Sequence, residues 1–369
     1  MYAEQQLLPW VMALRDAVPG LDPFDAHLHV GLRDPAGFQA TADEVVDALR
    51  LTATRGLVFA LKEPAGYRAA NGAMTDLAAA NPQLLRALCR LDPADDPLGE
   101  AQRSLEAGAV GLKLHPRGED FELKDARLDD VFALADALRL PMMVHAGAGD
   151  AGVVDQALER AAAHPGARLI LAHCGVGAFG LAVERSRPLA NVFFDTAWWN
   201  PADVWALLRL VPPGRILYAS DVPFAGPGAC QILTGRLALE AGLDHAQVRS
   251  VMGGQLERLI AREEPAELGP GAGVPEPLAP ELERLYVTLC SVVEPMLRGE
   301  EPGQGLELAR ASCADPHGPF EEVLGSVGAL LELAVDAEER DALRPLRTPG
   351  FDLVLAAAVV ARTPTVPVP

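Results

Sequence analysis

The chain is 369 residues long, half of them apolar, 22% charged and only 5% aromatic. At about 150 residues per domain this length suits two domains, or one large barrel with an addition, and the composition excludes a disordered or fibrous chain. With 31 basic against 51 acidic residues and a net charge of −20, non-specific binding to nucleic acid or to anionic lipid is excluded as well.

The opening MYAEQQLLPW lacks the basic start and apolar core of a secretion signal. The late apolar stretch 351–361 contains Asp352 and falls far short of the ~20 residues of a membrane span. Five scattered cysteines without a C-x-x-C pair indicate reduced thiols and a cytoplasmic protein.

In chain order, eight short and almost wholly apolar runs predict strands: 23–30, 57–62, 84–92, 109–115, 141–147, 168–175, 191–198 and 215–222. Such runs suit strands covered on both faces of a parallel sheet. Between them, 41–56, 125–140 and 150–166 have helical periodicity, the last starting at a capping Asp150 and stopping at His164-Pro165-Gly166. Eight strand-then-helix units predict a (β/α)8 TIM barrel, with an open doubly wound sheet as the competitor. A helix over 244–261 closes this region.

Residues 264–280, eight of 17 being Pro or Gly, read as a linker. Beyond it, 281–369 predicts a small α-helical appendage, its last helices separated by Pro345 and Pro349 and its end, TPTVPVP, frayed. The expected organisation is therefore a barrel over 1–263, a linker and a helical C-terminal region. Residues 264–369 carry 18 acidic and 7 basic side chains and no catalytic punctuation.

Four of the eight histidines fall at the C-terminal ends of predicted strands. In Asp25-Ala-His27-Leu-His29, alternation along a strand puts His27 and His29 on one side. His145 ends strand 5, His173 strand 6, and Asp221 strand 8. The C-terminal mouth of a barrel is where residues from different strands converge. Neutral imidazoles with a carboxylate suit Zn²⁺ or a similar ion with an open position for water. The bland alternative is a set of unrelated core or rim residues.

These motifs resemble the amidohydrolase superfamily, in particular its amidohydrolase-related branch of hydrolases and non-oxidative decarboxylases. The resemblance rests on D-A-H-L-H (25–29), G-L-K-L-H-P (111–116), V-H-A-G (144–147), L-A-H-C-G (171–175), Y-A-S-D-V-P-F (218–224) and the closing V-M-G-G-Q-L-E-R-L-I (251–260). It covers roughly 20–263 and leaves the tail unmatched. It implies His27, His29, His145 and Asp221 as metal ligands, with Asp221 also accepting the water proton. His173 would be a second-metal ligand or an acid/base that orients the water. Gln255 departs from the branch, which usually has Asn there.

Lys113 carries an ambiguity that the resemblance leaves open. A strand-4 lysine is carboxylated and bridges two metals in binuclear members, whereas K-L-H-P often accompanies one metal and an unmodified amine. One divalent ion, Zn²⁺ first, is the favoured reading, with two if Lys113 is carboxylated. His115 is expected to face substrate, to stand behind the ligands, or to be purely structural.

Arg90 and Arg117 are candidates to hold an acidic substrate, since arginine pairs bidentately with carboxylate. Trp198-Trp199 could wall an aromatic pocket or simply pack. Cys174 points away from His173 and reads as buried packing.

Three functions are compatible with these residues. The first is a metal-dependent hydrolase of a small amide, lactone or ester. The second is a decarboxylase of a small carboxylic acid, aromatic if the Arg and Trp candidates act together. The third is a non-catalytic binding or assembly module. The expected partner is a small-molecule substrate, without nucleic acid or membrane, and a homo-oligomer is left open.

Overall fold

The structure is a computed structural model and describes residues 3–272, 277–337 and 348–369. Eight parallel strands, β1 (Phe24–Val30), β2 (Arg55–Ala60), β3 (Leu85–Leu91), β4 (Gly111–Leu114), β5 (Pro141–Val144), β6 (Arg168–Leu171), β7 (Val192–Asp195) and β8 (Ile216–Leu217), follow one another in sequence order around one sheet. Between β8 and β1 the circle is completed by the backbone pairs Ala26 N–Tyr218 O (2.9 Å), His29 N–Val222 O (2.8 Å) and Asp221 N–His27 O (2.8 Å). With helices between the strands, this is the (β/α)8 barrel that the alternation predicts.

Every expected strand is present, but several are shorter than the apolar runs. RILYASDV keeps only Ile216–Leu217 as strand, because Tyr218 N turns to Val251 O (2.9 Å) and Asp221 is left-handed (φ 64°). Likewise β6 stops at Leu171, two residues before the left-handed His173 and Cys174 (φ 57° each). A left-handed residue cannot continue an extended strand. Such backbone costs on the order of 1 kcal/mol or more per non-glycine residue, and it collects where a chain must aim side chains.

The barrel interior is filled by Phe24, Ala26, Leu57, Phe59, Leu88, Met143, Ile170, Phe193 and Leu217, closed at the bottom by Leu256 and Leu259. Met142, by contrast, packs between strands and outer helices. The helix expected over 244–261 is three pieces, His245–Arg249, a π-type turn at Ser250–Gly254 and Gln255–Ile260. The break lies where the chain presses on the start of β1: a Cβ on Gly253 would stand 2.5 Å from Asp22 O and 2.9 Å from Phe24 N. Only glycine allows that approach. Gln255 is buried, donating to Gly214 O (2.6 Å) and accepting from Ala266 N (3.0 Å).

The stretch read as a linker lies along the barrel over 264–272. Glu264 pairs with Arg139 and Arg168, and Leu268 O accepts from Gln247. Residues 273–276 lie outside the described residues. In the C-terminal region, helices Pro280–Leu297, Gly303–Cys313, Glu321–Val335 and Phe351–Arg362 pack together. The part of the expected penultimate helix at 338–346, with Pro345, lies outside the described residues.

Phe351–Arg362 is buried along nearly its whole length and rests on the barrel helix Pro227–Glu240, itself buried from Pro227 to Ala238. Appendage and outer barrel thus share one apolar core. The frayed end is corrected by the structure. Buried Arg236 binds the last turn and tail through Thr363 Oγ1 (3.0 Å), Thr363 O (3.1 Å), Val366 O (3.0 Å) and Pro367 O (2.6 Å). A segment whose carbonyls satisfy a buried guanidinium is held, whatever its composition. Among the described residues no helix is long and apolar enough to cross a membrane.

Candidate metal centre and cavity

At the C-terminal mouth the two β1 histidines and the aspartate after β8 meet. His27 Nε2 lies 3.2 Å from His29 Nε2 and 3.2 Å from Asp221 Oδ1, and His29 Nε2 lies 3.1 Å from the same oxygen. Their tautomers follow from what stands behind them. His27 Nδ1 contacts Asp195 Oδ2 at 2.8 Å and His29 Nδ1 contacts Ala60 O at 3.4 Å. Each Nδ1 therefore carries the proton, and both Nε2 atoms present lone pairs.

Two lone pairs and a carboxylate oxygen converging within 3.2 Å repel one another unless a cation stands among them. Tetrahedral nitrogen and oxygen ligands of zinc, each 2.0–2.1 Å from the ion, lie about 3.3 Å apart. The donor set fits a divalent ion. Among the described residues this is the one group of three or more donors so arranged.

The structure does not bring His145 into that triangle. Its Nδ1 lies 2.9 Å from His173 Nε2, its Nε2 lies 3.3 Å from Asp150 Oδ2, and its ring stacks on His115 at 3.8 Å. His173 Nδ1 donates to Ala197 O at 2.7 Å, so its Nε2 accepts from His145 and leaves a lone pair on His145 Nε2. The partner across that lone pair, Asp150, has its carboxyl pushed up by burial. Asp150 thus does not cap its helix with its side chain, as the sequence suggests, but faces His145. His173 also stands 3.8 Å from Asp221 Oδ2.

Burial dominates the electrostatics. It holds His145 and His173 at about 3, and together with the Lys113 charge it puts His27 well below its ordinary value. His29 and His115 are lowered in the same way. All five are the neutral imidazoles that metal ligation or hydrogen-bond acceptance requires. Lys113 is fully buried, 3.5 Å from His27 Nε2 and over the Phe59 ring, and burial lowers it to about 7.

Sequence reasoning missed the carboxylates behind the histidines. Asp195, at the end of β7, holds His27 with Oδ2 while Oδ1 accepts from His173 N (2.7 Å) and Ala197 N (3.1 Å). One side chain thereby fixes the tautomer of one histidine and the backbone of another. Asp25 Oδ1 accepts from His27 N (2.9 Å) and Ser220 N (3.0 Å), joining β1 to the Asp221 loop, and burial raises its carboxyl to about 7. The available signal was the lone acid ending the apolar run NVFFD, as His173 ends its own.

A cavity of about 550 Å³ opens above this cluster, lined by His29, His115, His145, His173 and Asp221 together with Arg90, Arg117 and Trp198. Lys113 does not line it. Arg90 is buried and pairs with Glu119 Oε1 at 2.8 Å, which also accepts from Tyr67 OH. His115 Nδ1 accepts from Gly118 N (2.9 Å), bracing the turn 116–119 as well as facing the cavity. Arg117 is exposed at the rim, and Trp198 is fixed by its indole donating to Asp203 (2.7 Å). Cys174 is fully buried among outer core residues.

Fold and site define a (β/α)8 barrel with a histidine–carboxylate cluster at its C-terminal mouth that could hold a metal ion. The chain belongs to the Amidohydrolase family, whose model matches residues 22–254. Among solved structures it is similar in fold to an uncharacterized TIM-barrel protein from Bordetella bronchiseptica (TM-score 0.54, 13% identity, 66% of this chain and 99% of that one). It is similar also to 5-carboxyvanillate decarboxylase from Sphingomonas paucimobilis (TM-score 0.52, 17% identity, 66% and 99%). A third similar structure is an amidohydrolase from Burkholderia multivorans (TM-score 0.50, 16% identity, 65% and 99%). No curated protein matches the chain in sequence.

Proposed function

We propose that the protein is a metal-dependent hydrolase acting on a small amide, lactone or ester, with one divalent ion, Zn²⁺ first, held by His27, His29 and Asp221. The observation that carries this is the convergence of two lone-pair nitrogens and Asp221 Oδ1 within 3.2 Å, each imidazole oriented from behind. His145, with a lone pair on Nε2, is the remaining donor. Lys113, an amine that burial lowers to about 7, needs no second ion to be accommodated. When bound, a divalent ion supplies Lewis acidity that activates water and polarises a carbonyl.

The chain's own residues supply the rest. Asp221 accepts the proton of the attacking water and returns it to the leaving group. His173, its Nδ1 held by Ala197 O and its Nε2 accepting from His145, keeps a neutral imidazole 3.8 Å from Asp221 and positions His145 beside that carboxylate. Asp195 keeps His27 in the ligating tautomer. Decarboxylation of a small acid is the second reading, favoured by the basic and aromatic side chains that share the cavity.

The test is metal analysis of purified protein, followed by hydrolysis of a panel of esters, lactones and amides before and after chelation. One ion per chain and turnover lost with chelator and restored by zinc are the expected results. In His27→Ala both metal and turnover should be absent. Full occupancy in that variant would refute the assigned site.

A further inference from the structure

The helical C-terminal region carries a groove of about 700 Å³ of its own. It runs between the helices Pro280–Leu297 and Gly303–Cys313, with Asp315 and His317 beyond the second and Leu324 from the start of Glu321–Val335. All its lining residues fall between 281 and 324, outside the 22–254 that the family accounts for. Leu285 is buried and Leu324 half-buried, while Val287 and Leu308 stand 56% and 60% exposed. A single exposed leucine is ordinary on a protein surface. Four aliphatic side chains lining one concavity, two of them mostly uncovered, mark a contact surface.

The neutral polar groups of the lining are already spent. Thr288 Oγ1 donates to Arg284 O (2.8 Å), Ser312 Oγ donates to Leu308 O (2.9 Å) and His317 Nδ1 contacts Asp315 O (2.7 Å). What the rim still offers is charge. Glu281, Glu283 and Asp315 are exposed in the lining against Arg284, and Glu321 and Glu322 stand exposed just before Leu324. The ion pairs of this region join Arg298 and Arg310 to Glu294, Glu300, Glu307 and Glu332, and among the described residues none engages those five acids. A second copy of the chain would bring a net charge of −20 to this rim. Like charge set against like charge disfavours that pairing, whereas a cationic partner is drawn in.

We propose that this groove is the docking site for a basic amphipathic helix of another protein, with aliphatic side chains seated against Leu285, Val287, Leu308 and Leu324 and lysines or arginines beside Glu281, Glu283 and Asp315. The walls are helices whose backbone groups bond within themselves, so an extended peptide finds no sheet edge to join. A helical occupant satisfies its own backbone and needs only apolar contacts at helical spacing. Burial of those contacts holds the complex, and the acidic rim steers the encounter and rejects acidic helices. The surface is independent of the metal centre and of the reaction it supports.

The experiment is fluorescence anisotropy of the full-length protein with a labelled synthetic Leu/Lys peptide of roughly 18 residues, long enough to form a helix once seated. One control has the same composition in scrambled order, and another keeps the pattern with Glu in place of Lys. The patterned Lys peptide should bind at least about tenfold more tightly than either control. Leu308→Asp and Val287→Asp should each weaken it by about tenfold or more, the worth of one buried aliphatic side chain. Leu210→Asp, at a barrel-helix position that is also 56% exposed, should change nothing. Glu283→Lys leaves the apolar surface intact and should both weaken binding and flatten its salt dependence. Zinc content and melting temperature of the groove variants should match wild type. The proposal is overturned if the scrambled peptide binds as tightly as the patterned one. It is equally overturned if affinity survives both Leu308→Asp and Val287→Asp, or if Leu210→Asp weakens it as much as they do. A dimer seen by sedimentation and dissociated by Leu308→Asp would assign the groove to a second copy and also reject the proposal.

Discussion

Asp195 shows how much of the site depends on residues that touch neither ion nor substrate. Its carboxylate holds the His27 proton on Nδ1 and the His173 backbone in a left-handed turn. Asp195→Asn keeps the shape but can present an amide N–H to Nδ1 and so favour the wrong tautomer. Zinc affinity should fall ~10–100-fold, the usual cost of losing such support, as read by competition with a chromogenic chelator. Asp221 and His173 should separate by role. Asp221→Asn should lower kcat by ~10²–10⁴ with metal partly retained. His173→Asn should also cut turnover yet leave the metal count near one per chain. A wild-type count of two that drops in His173→Asn would instead assign His173 to a second ion and favour a carboxylated Lys113.

At the scale of elements, the helix Pro227–Glu240 joins the barrel to the C-terminal region. Its Arg236 is fully buried, donates to carbonyl and hydroxyl oxygens of residues 363–367, and has Glu240 as the nearby charge that favours its cation. Burial lowers its guanidinium to about 10, the direction expected of a cation kept from water. Arg236→Met removes the donors and leaves several buried carbonyls without partners, at about 2–4 kcal/mol. Thermal unfolding should shift down accordingly, and protease should release the tail before the barrel is cut, while zinc content stays unchanged. The strand ends were less legible than the strands themselves. Apolar runs mark what the sheet covers, but the exits at His173 and Asp221 are set by backbone turns that neighbouring loops impose.

For the whole molecule, residues 1–263 remain our proposed catalytic unit, because no member of the metal cluster comes from the C-terminal region. Deleting 281–369 should bare the apolar face of Pro227–Glu240, giving a protein that binds hydrophobic dye and aggregates. Zinc bound by whatever fraction stays soluble should still be near one per chain. Acid should destabilise the metal-stripped protein. The folded chain keeps His145 and His173 unprotonated down to about 3, whereas an unfolded chain protonates them near 6.5. Their contribution is complete above 6.5 and is lost as pH falls from there towards 3. Asp25, protonated in the folded chain below about 7, works in the opposite sense, as do the raised Asp150 and Asp195. Five lowered histidines outweigh three raised carboxyls, so the melting temperature should drop between pH 6.5 and 5. A flat or rising profile would show that the cluster is not buried as described.

The sequence by itself determined the barrel and the positions of its chemistry. Eight apolar runs separated by amphipathic helices leave few alternatives to a parallel sheet covered on both sides, and His27, His29, His173 and Asp221 stand out because each is a polar residue ending an apolar run. Only the tertiary structure decided how those ends meet. Asp195, Asp25 and Asp150 lie in ordinary sequence contexts, and their roles come from contacts spanning 168, 195 and 5 residues. The tail shows the same limit from the other side. TPTVPVP has the composition of a loose end, and it is held because Arg236, more than a hundred residues earlier, donates to its carbonyl and hydroxyl oxygens.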